Sequence, residues 1–325
     1  MNTPNLFWPV YKNLEKELLT LSNYIHISDD QANVYSMHIA ELIIRCAIEI
    51  ESLSKELYSL LGGNMSLTDE EGNIRDLYFD TDCIDLLENK WHICKKEITV
   101  TAPSLYFVED KHRIITPLYK ANKRGTSGSK WKQAYQSIKH DRRNSLKKAT
   151  IENLLYALGS LYILNLYYLD DRQDIGRTYL SDRQFDSRVG SDVFSTHFCR
   201  ATGLSMARIM DDSCINPPIS EDELNRSIYI VKYDDKSYGE MHKSFCLDSQ
   251  ITEKAFNSSP EIAKFISEHP EYRDKSINEI CMAAGGESLL LRIVCMKHSM
   301  NNRSTRTEAV LNKHTNIYPT LSQQY

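Results

Sequence analysis

The chain begins with two long stretches in which apolar residues recur at helical spacing. Leu14, Leu18, Leu19 and Leu21 mark a helix over residues 7–24, and residues 32–61 form a second that is apolar on nearly every side. Ser28-Asp29-Asp30 offers a start for that second helix, and Gly62-Gly63-Asn64 a stop. A mixed insertion over about residues 64–130 follows. Ile84 to Lys95 reads as a short helix there, while Ile98–Thr101, Leu105–Val108 and Arg113–Thr116 read as short strands bounded by Pro103 and Pro117. Gly125 to Ser129 predicts a flexible loop. Helical pattern then returns: Trp131, Ala134, Tyr135 and Ile138 line one face of an amphipathic run, and the Leu- and Tyr-rich stretch Thr150–Tyr168 predicts the central helix of a bundle.

Beyond Tyr168 the pattern weakens. Asp170 to Gly190 is strongly polar and predicts a domain boundary, with a bundle over residues 1–170 and a C-terminal α+β domain over 190–325. In the second part the pattern predicts helices near 192–211 and 251–268, and a hairpin from Ile228 to Met241 turned by Asp234-Asp235-Lys236-Ser237. Leu289–Met296 fits strand or helix equally, and the polar stretch from Ser299 reads as loosely held. The expected fold class is therefore mainly α, a helical bundle with a small β-containing insertion, followed by an α+β region.

At 325 residues and 41% hydrophobic content the chain can bury a proper core. Its net charge of -5 excludes a general polyelectrolyte affinity for nucleic acid, so such binding must come from a local patch. One is present between Lys111 and Lys148, where Asp141 is the lone acid among many Lys and Arg; it reads as a solvated face or as a phosphate-facing one. Cysteines are scattered with no CxxC pair, which predicts reduced thiols in a cytoplasmic protein. The neighbours His92/Cys94, His197/Cys199 and His242/Cys246 match no recognised zinc spacing, so neither a metal nor a cofactor is expected. No apolar run approaches the roughly 20 residues needed to span a bilayer, so no membrane association is expected.

Two places concentrate candidate chemistry. The first is the junction Lys139-His140-Asp141-Arg142-Arg143, where charged side chains end one core helix just before another begins; such groups must meet solvent, one another or a ligand. The second is a polar stripe on the second helix, His38, Glu41, Arg45, Glu49, Ser52 and Glu56, whose spacing puts them on one line. The stripe is either the solvent face or the wall of a cleft, in which Arg45, held by Glu41 and Glu49, would present its guanidinium to an anion and approach the junction. In the second case Glu51, Ser54 and Lys55 would form the solvent face.

Arg45-Cys46-Ala47-Ile48-Glu49-Ile50-Glu51-Ser52, together with Trp131 through Arg142 (WKQAYQSIKHDR) and Glu152-Asn153-Leu154-Leu155, resembles HEPN-like helical bundles, in particular a bacterial group of that kind. The resemblance covers about residues 7–168. It implies a host-defence or toxin-type effector acting on RNA as a metal-independent ribonuclease, with a homodimer and a partner protein from the same operon as expected associations. An alternative is a non-catalytic interaction or dimerisation module. The family's ribonuclease motif places a His four to six positions after an Arg, and here none follows Arg142 or Arg143-Asn144; His140 precedes them. Arg292 and His298 have the spacing but lie outside the matched bundle. The expected site is His140, Arg142 and Arg45 for chemistry, with Lys139, Arg143, Glu49, Trp131 and Tyr135 for binding, because imidazole and guanidinium suit proton transfer and phosphorane stabilisation.

Overall fold

The computed structural model describes residues 5–69, 71–124, 128–177, 185–201, 219–301 and 305–317. Its framework is mainly helical with small sheets, as the hydrophobic pattern predicts at that coarse level. Helix α1 (Phe7–Leu21) starts where Asn5 Oδ1 accepts from the backbone N–H of Phe7 and Trp8, and it buries Tyr11, Leu14, Glu15, Leu18 and Leu21 along one face. A two-residue strand β1 (Ile27–Ser28) follows. Helix α2 (Met37–Leu60) is capped by the Ser36 side chain and contacts α1, helix α3 (Asp85–Trp91), helix α5 (Lys130–His140) and helix α7 (Ile151–Leu169). Thr150 caps α7, whose residues are buried on nearly all sides, so this helix is the centre of the bundle. Gly159 lets the strand below approach: a Cβ there would lie 2.7 Å from Cδ1 of Ile98.

The insertion folds back onto this bundle. It contains a π-helical turn (Phe79–Ile84) ahead of α3, then β2 (Ile98–Val100), β3 (Leu105–Tyr106), a single helical turn α4 (Asp110–Arg113) and β4 (Ile114–Ile115). Arg75 grips Asp82 through two parallel bonds of 2.7 and 2.9 Å, which orients the turn. Lys132 on α5 then ties it down. Its side chain is 3% exposed and its Nζ donates to Asp80 Oδ2 at 2.6 Å and to the carbonyls of Lys123 and Ala121. The expected Gly125–Ser129 loop lies largely outside the described residues.

Residues 178–184, within the stretch whose polar composition predicts a boundary, lie outside the description; described residues on both sides of them share one hydrophobic core. The strand β5 (Gln173–Arg177) is followed by β6 (Phe194–Thr196), which pairs with β2 of the insertion, and by β7 (Phe198–Arg200). Val193 and Phe194, with Tyr229, Val231 and Ala309 from further on, belong to the same core as α1, α2 and α7. Hydrogen bonds reinforce the join. Glu15 accepts from Ser191 and from the Asp192 and Val193 amides, and Tyr167 donates to the Asn312 carbonyl at 2.8 Å.

The C-terminal part departs most from the pattern. In place of a helix near 192–211 the described residues hold β6 and β7; residues 202–218 lie outside the description. After a short helix α8 (Glu221–Arg226), β8 (Tyr229–Tyr233) leads into the long helix α9 (Asp235–Asn257), so no hairpin forms. The acidic residue read as the turn caps that helix instead: Asp234 Oδ1 accepts from Ser237 N at 2.7 Å. Helices α10 (Pro260–Glu268), α11 (Ile277–Ile293) and α12 (Lys297–Asn301) follow; α10 and α11 with the end of α9 enclose a small separate cluster around Ile262, Ile280, Cys281, Leu289 and Ile293. The ambiguous 289–296 run is mostly helix. The stretch read as loosely held carries β9 (Arg306–Leu311), an inner strand of the sheet β5-β9-β8-β7. Lys232 on β8, 3% exposed, is satisfied there by Glu308 on β9 at 2.9 Å and by Asp235 at 2.8 Å.

Among the described residues Lys96 has no such carboxylate partner. It is fully buried, with Nζ 3.2 Å from Nε2 of His314, whose ring stacks on His92 at 4.1 Å between centroids. Burial lowers the Lys96 pKa to about 7, and burial with the nearby Lys96 charge lowers that of His314 to about 4. The unfolded lysine titrates near its ordinary 10.5. Its contribution to stability is therefore fully present above about pH 10.5 and is lost progressively as pH falls to about 7.

Two predictions follow from these buried cations. Lys132→Met should destabilise the fold by about 3–5 kcal/mol in urea denaturation, because the Asp80 carboxylate loses its counter-charge, and Lys132→Met with Asp80→Asn should recover much of the loss. Lys96→Met should be more stable than the parent at pH 7 and lose that advantage toward pH 10, when both proteins are unfolded at each pH; an advantage independent of pH would show that Lys96 is charged in the fold.

Candidate functional site

Helix α5 turns its apolar face, Trp131, Ala134, Tyr135 and Ile138, into the core. That leaves Lys132, Gln136 and His140, each one turn from the next, on a separate polar line. Across from it α2 contributes Glu51 and Lys55, again one turn apart, and the tied insertion contributes Leu77, Tyr78, Phe79 and Asp80. With Arg124 these residues line a cleft of about 510 Å³.

Charge in the cleft is unevenly committed. Lys132 is held by Asp80 at its wall, and Glu51 is engaged by the Tyr135 hydroxyl, whose pKa is raised by burial and then by the Glu51 charge, with Lys139 opposing. Lys139 lies on that side too, its Nζ 5.5 Å from the Tyr135 ring centre. Lys55 and Arg124 are exposed and have no carboxylate partner among the described residues. The guanidinium carbons of Arg124 and Arg75 lie 4.2 and 4.7 Å from the centre of the half-buried Tyr78 ring. His140 is exposed at the end of α5, on the cleft wall. The cleft thus combines available cations, an aromatic ring and an imidazole, a set suited to an anionic ligand that also has a flat group to stack.

Only part of the expected site assembles here. His140 lines the cleft, while Arg142 and Arg143 sit exposed on the following turn α6 (Arg142–Ser145), which Asp141 caps by accepting from Asn144 N at 3.2 Å. Arg45 does not approach the junction. The stripe is the solvent face of α2, because most apolar residues of that helix are buried against α1, α5 and α7 on its other sides; Arg45 and Glu41 are exposed, Glu49 is half-buried, and no ion pair joins them. His38 at the head of the stripe meets Glu17 on α1 at 3.5 Å instead. Of the two readings of the stripe the solvent one holds: Glu51 and Lys55, the solvent face under the other reading, line the cleft, and Ser54 is buried with its hydroxyl on the Ile50 carbonyl. Trp131 is fully buried in the core and cannot serve as a binding surface, and Tyr135 is 4% exposed. Arg292 and His298 are directed to different partners, Glu261 and Asp248.

Sequence reasoning missed Glu51, Lys55, Tyr78, Asp80, Arg124, Lys132 and Gln136 as cleft residues. The turn-by-turn polar line Lys132, Gln136, His140 was the available signal; nothing local announces that residues 77–80 cover it. The basic segment is also partly neutralised, with Lys111 on Glu109, Lys130 on Glu152 and Lys132 on Asp80. Among the described residues no cysteine lines the cleft, and burial pushes the Cys46 and Cys83 thiols up to about 12. Among the described residues, convergent metal-ligating groups lie elsewhere, at Asp29/Glu109/His112 and Asp248/Cys295/His298. In the first, Asp29 serves as a loop clamp: it accepts from Val108 N at 2.9 Å and from His112 Nδ1 at 2.8 Å, bonds that hold its carboxyl below the usual range.

With Arg45 in solvent and unpaired, Arg45→Ala should change stability by less than about 0.5 kcal/mol in urea denaturation. A larger loss would mean that the stripe is covered in solution.

No helix among the described residues is long and apolar enough to cross a membrane. No family model, curated protein or solved structure matches the chain.

Proposed function

We propose that the helical bundle is a HEPN-like module of a host-defence or toxin-type protein, acting in the cytoplasm on RNA through the His140 cleft. The observation that carries this reading is the joining, in one cleft, of cations without a carboxylate partner among the described residues, Lys55 and Arg124, with the Tyr78 ring and the His140 imidazole. Phosphates are met by Lys55 and Arg124, and an unpaired base stacks on Tyr78 in the place that the Arg124 guanidinium leaves as it turns to phosphate. Lys139, Arg142 and Arg143 extend the positive surface past the end of α5, outside the cleft.

For cleavage, His140 takes the proton of a ribose 2'-hydroxyl as that oxygen attacks the adjacent phosphorus. The bond from phosphorus to the 5'-oxygen breaks, and the leaving oxygen takes a proton from solvent or from the imidazolium. Arg124 faces the negative charge that develops on the phosphoryl oxygens. Arg45, Glu49 and Trp131 take no part. A second reading, a non-catalytic module that pairs with another copy of the chain, is favoured by the outward face of α2, where Met37 and Ile48 are 46% and 52% exposed beside Arg45.

The two readings separate in one set of measurements. His140→Ala should reduce RNA cleavage and growth toxicity by about 100-fold or more with the fold intact. Arg124→Ala and Lys55→Ala should each weaken RNA binding and lower the slope of log affinity against log salt by about 1. Cleavage that survives His140→Ala removes the imidazole from the chemistry. RNA affinity unchanged in both cation variants removes the cleft from the binding surface, and self-association lost on Ile48→Glu then favours the module.

A further inference from the structure

A different group of side chains, remote in sequence from the cleft, converges in the C-terminal helices. Asp248 projects from α9 into the segment that joins α11 to α12, and only 4% of its side chain is exposed. Its Oδ1 accepts from Nδ1 of His298 at 2.8 Å, from Sγ of Cys295 at 3.4 Å and from the His298 backbone N–H at 3.2 Å, while Oδ2 accepts from Ser299 N at 2.8 Å. The backbone bonds explain Asp248 as the cap of α12. They do not explain why an imidazole nitrogen and a thiol are aimed at the same oxygen. Cys295 is itself fixed by its N–H on Thr252 Oγ1 at 2.8 Å, and Thr252 is fully buried.

The order of the three groups decides what they can do. In a nucleophilic relay the imidazole stands between acid and thiol. Here the carboxylate stands in the middle, and the thiol bonds to it. The three donor atoms instead lie within 4.8 Å of one another, the spacing of ligands around a single ion. One sulfur, one imidazole nitrogen and one carboxylate oxygen form a borderline-soft set that suits zinc and its mimic cobalt, and disfavours magnesium or calcium.

We propose that Asp248, Cys295 and His298 form a binding site for a divalent transition-metal ion of the zinc type. Burial raises the Asp248 carboxyl, but the bonds from Ser299 and His298 outweigh it and hold the group below its usual range. On binding, the Cys295 thiol loses its proton to solvent and binds as thiolate, and His298 binds as neutral imidazole through Nδ1 with its proton on Nε2. Three protein ligands leave a fourth position for water, and His298, 40% exposed, places that position within reach of solvent. The ion would bridge α9 to the segment leading into β9. Cys295 and His298, three residues apart, are a local pair of the same kind as His242/Cys246; the third ligand, 47 residues upstream of Cys295, is brought to them only by the fold.

The test uses the full chain, stripped with a chelator and titrated with cobalt(II). One equivalent should bind with the near-ultraviolet thiolate-to-cobalt charge-transfer band and the visible bands of tetrahedral coordination, and zinc should displace it. Cys295→Ser and His298→Gln keep polar partners for Asp248; each should weaken binding by at least about tenfold, and Cys295→Ser should abolish the charge-transfer band. Cys246→Ser should leave both unchanged. Far-ultraviolet circular dichroism of the metal-free variants checks that they fold, and added zinc should raise the melting temperature of the parent but not of Cys295→Ser. Absence of stoichiometric cobalt binding in the parent, or a charge-transfer band that persists in folded Cys295→Ser, overturns the assignment.

Discussion

The ammonium group of Lys132 imposes the constraint on which the cleft depends. A lysine side chain buried to this degree must be given a carboxylate and further acceptors, or the segment around it has to open to water. Its acceptors come from two separated stretches, Asp80 and the carbonyls of residues 121 and 123, so one cation fastens both ends of a long insertion to α5. Once residue 80 is fixed, residues 77–79 have to cross the polar line of α5, and Tyr78 is held where Arg75 and Arg124 can lie against its ring. The cleft is the space that remains between that crossing and α2.

This arrangement also changes the meaning of the basic segment. As a string of residues it is a dense positive stretch; in three dimensions several of its members face acids, and only a subset lacks a carboxylate partner among the described residues. Positive charge in the cleft is therefore selected by geometry. Two cations from distant parts of the chain, Lys55 and Arg124, frame the opening, while the closely spaced Arg142 and Arg143 diverge from it on a separate turn.

The long helices were legible because their burial follows from periodicity alone. Residues 37–60 and 151–169 bury so many apolar side chains that no other secondary structure could satisfy them. The side of α2 that faces water was not legible. Both polar lines on that helix satisfy the same spacing rule, and the choice between them is made by the insertion, which makes a cleft with Glu51 and Lys55 and leaves Arg45 out. The same limit applies to residues 228–241. A strand followed by an Asp-rich tetrapeptide reads as half of a hairpin, yet Asp234 is equally good as a helix cap, and the partner of the strand is β9, more than seventy residues later. Likewise Trp131 looks like a binding platform on a helix diagram and is core in the fold, because α7 and the insertion close over it.

The position of β9 has a consequence for how the molecule is made. It lies between β5 and β8, so each of those strands lacks its main neighbour until residues 306–311 have emerged from the ribosome. Until then Lys232 has no Glu308, and the strand edges of β5 and β8 are open to pairing with other chains. The bundle around α7 can form early from nearby helices, whereas the sheet must wait for its closing strand. A nascent chain stalled ahead of residue 306 would present a folded helical part joined to an open, self-adhesive half-sheet.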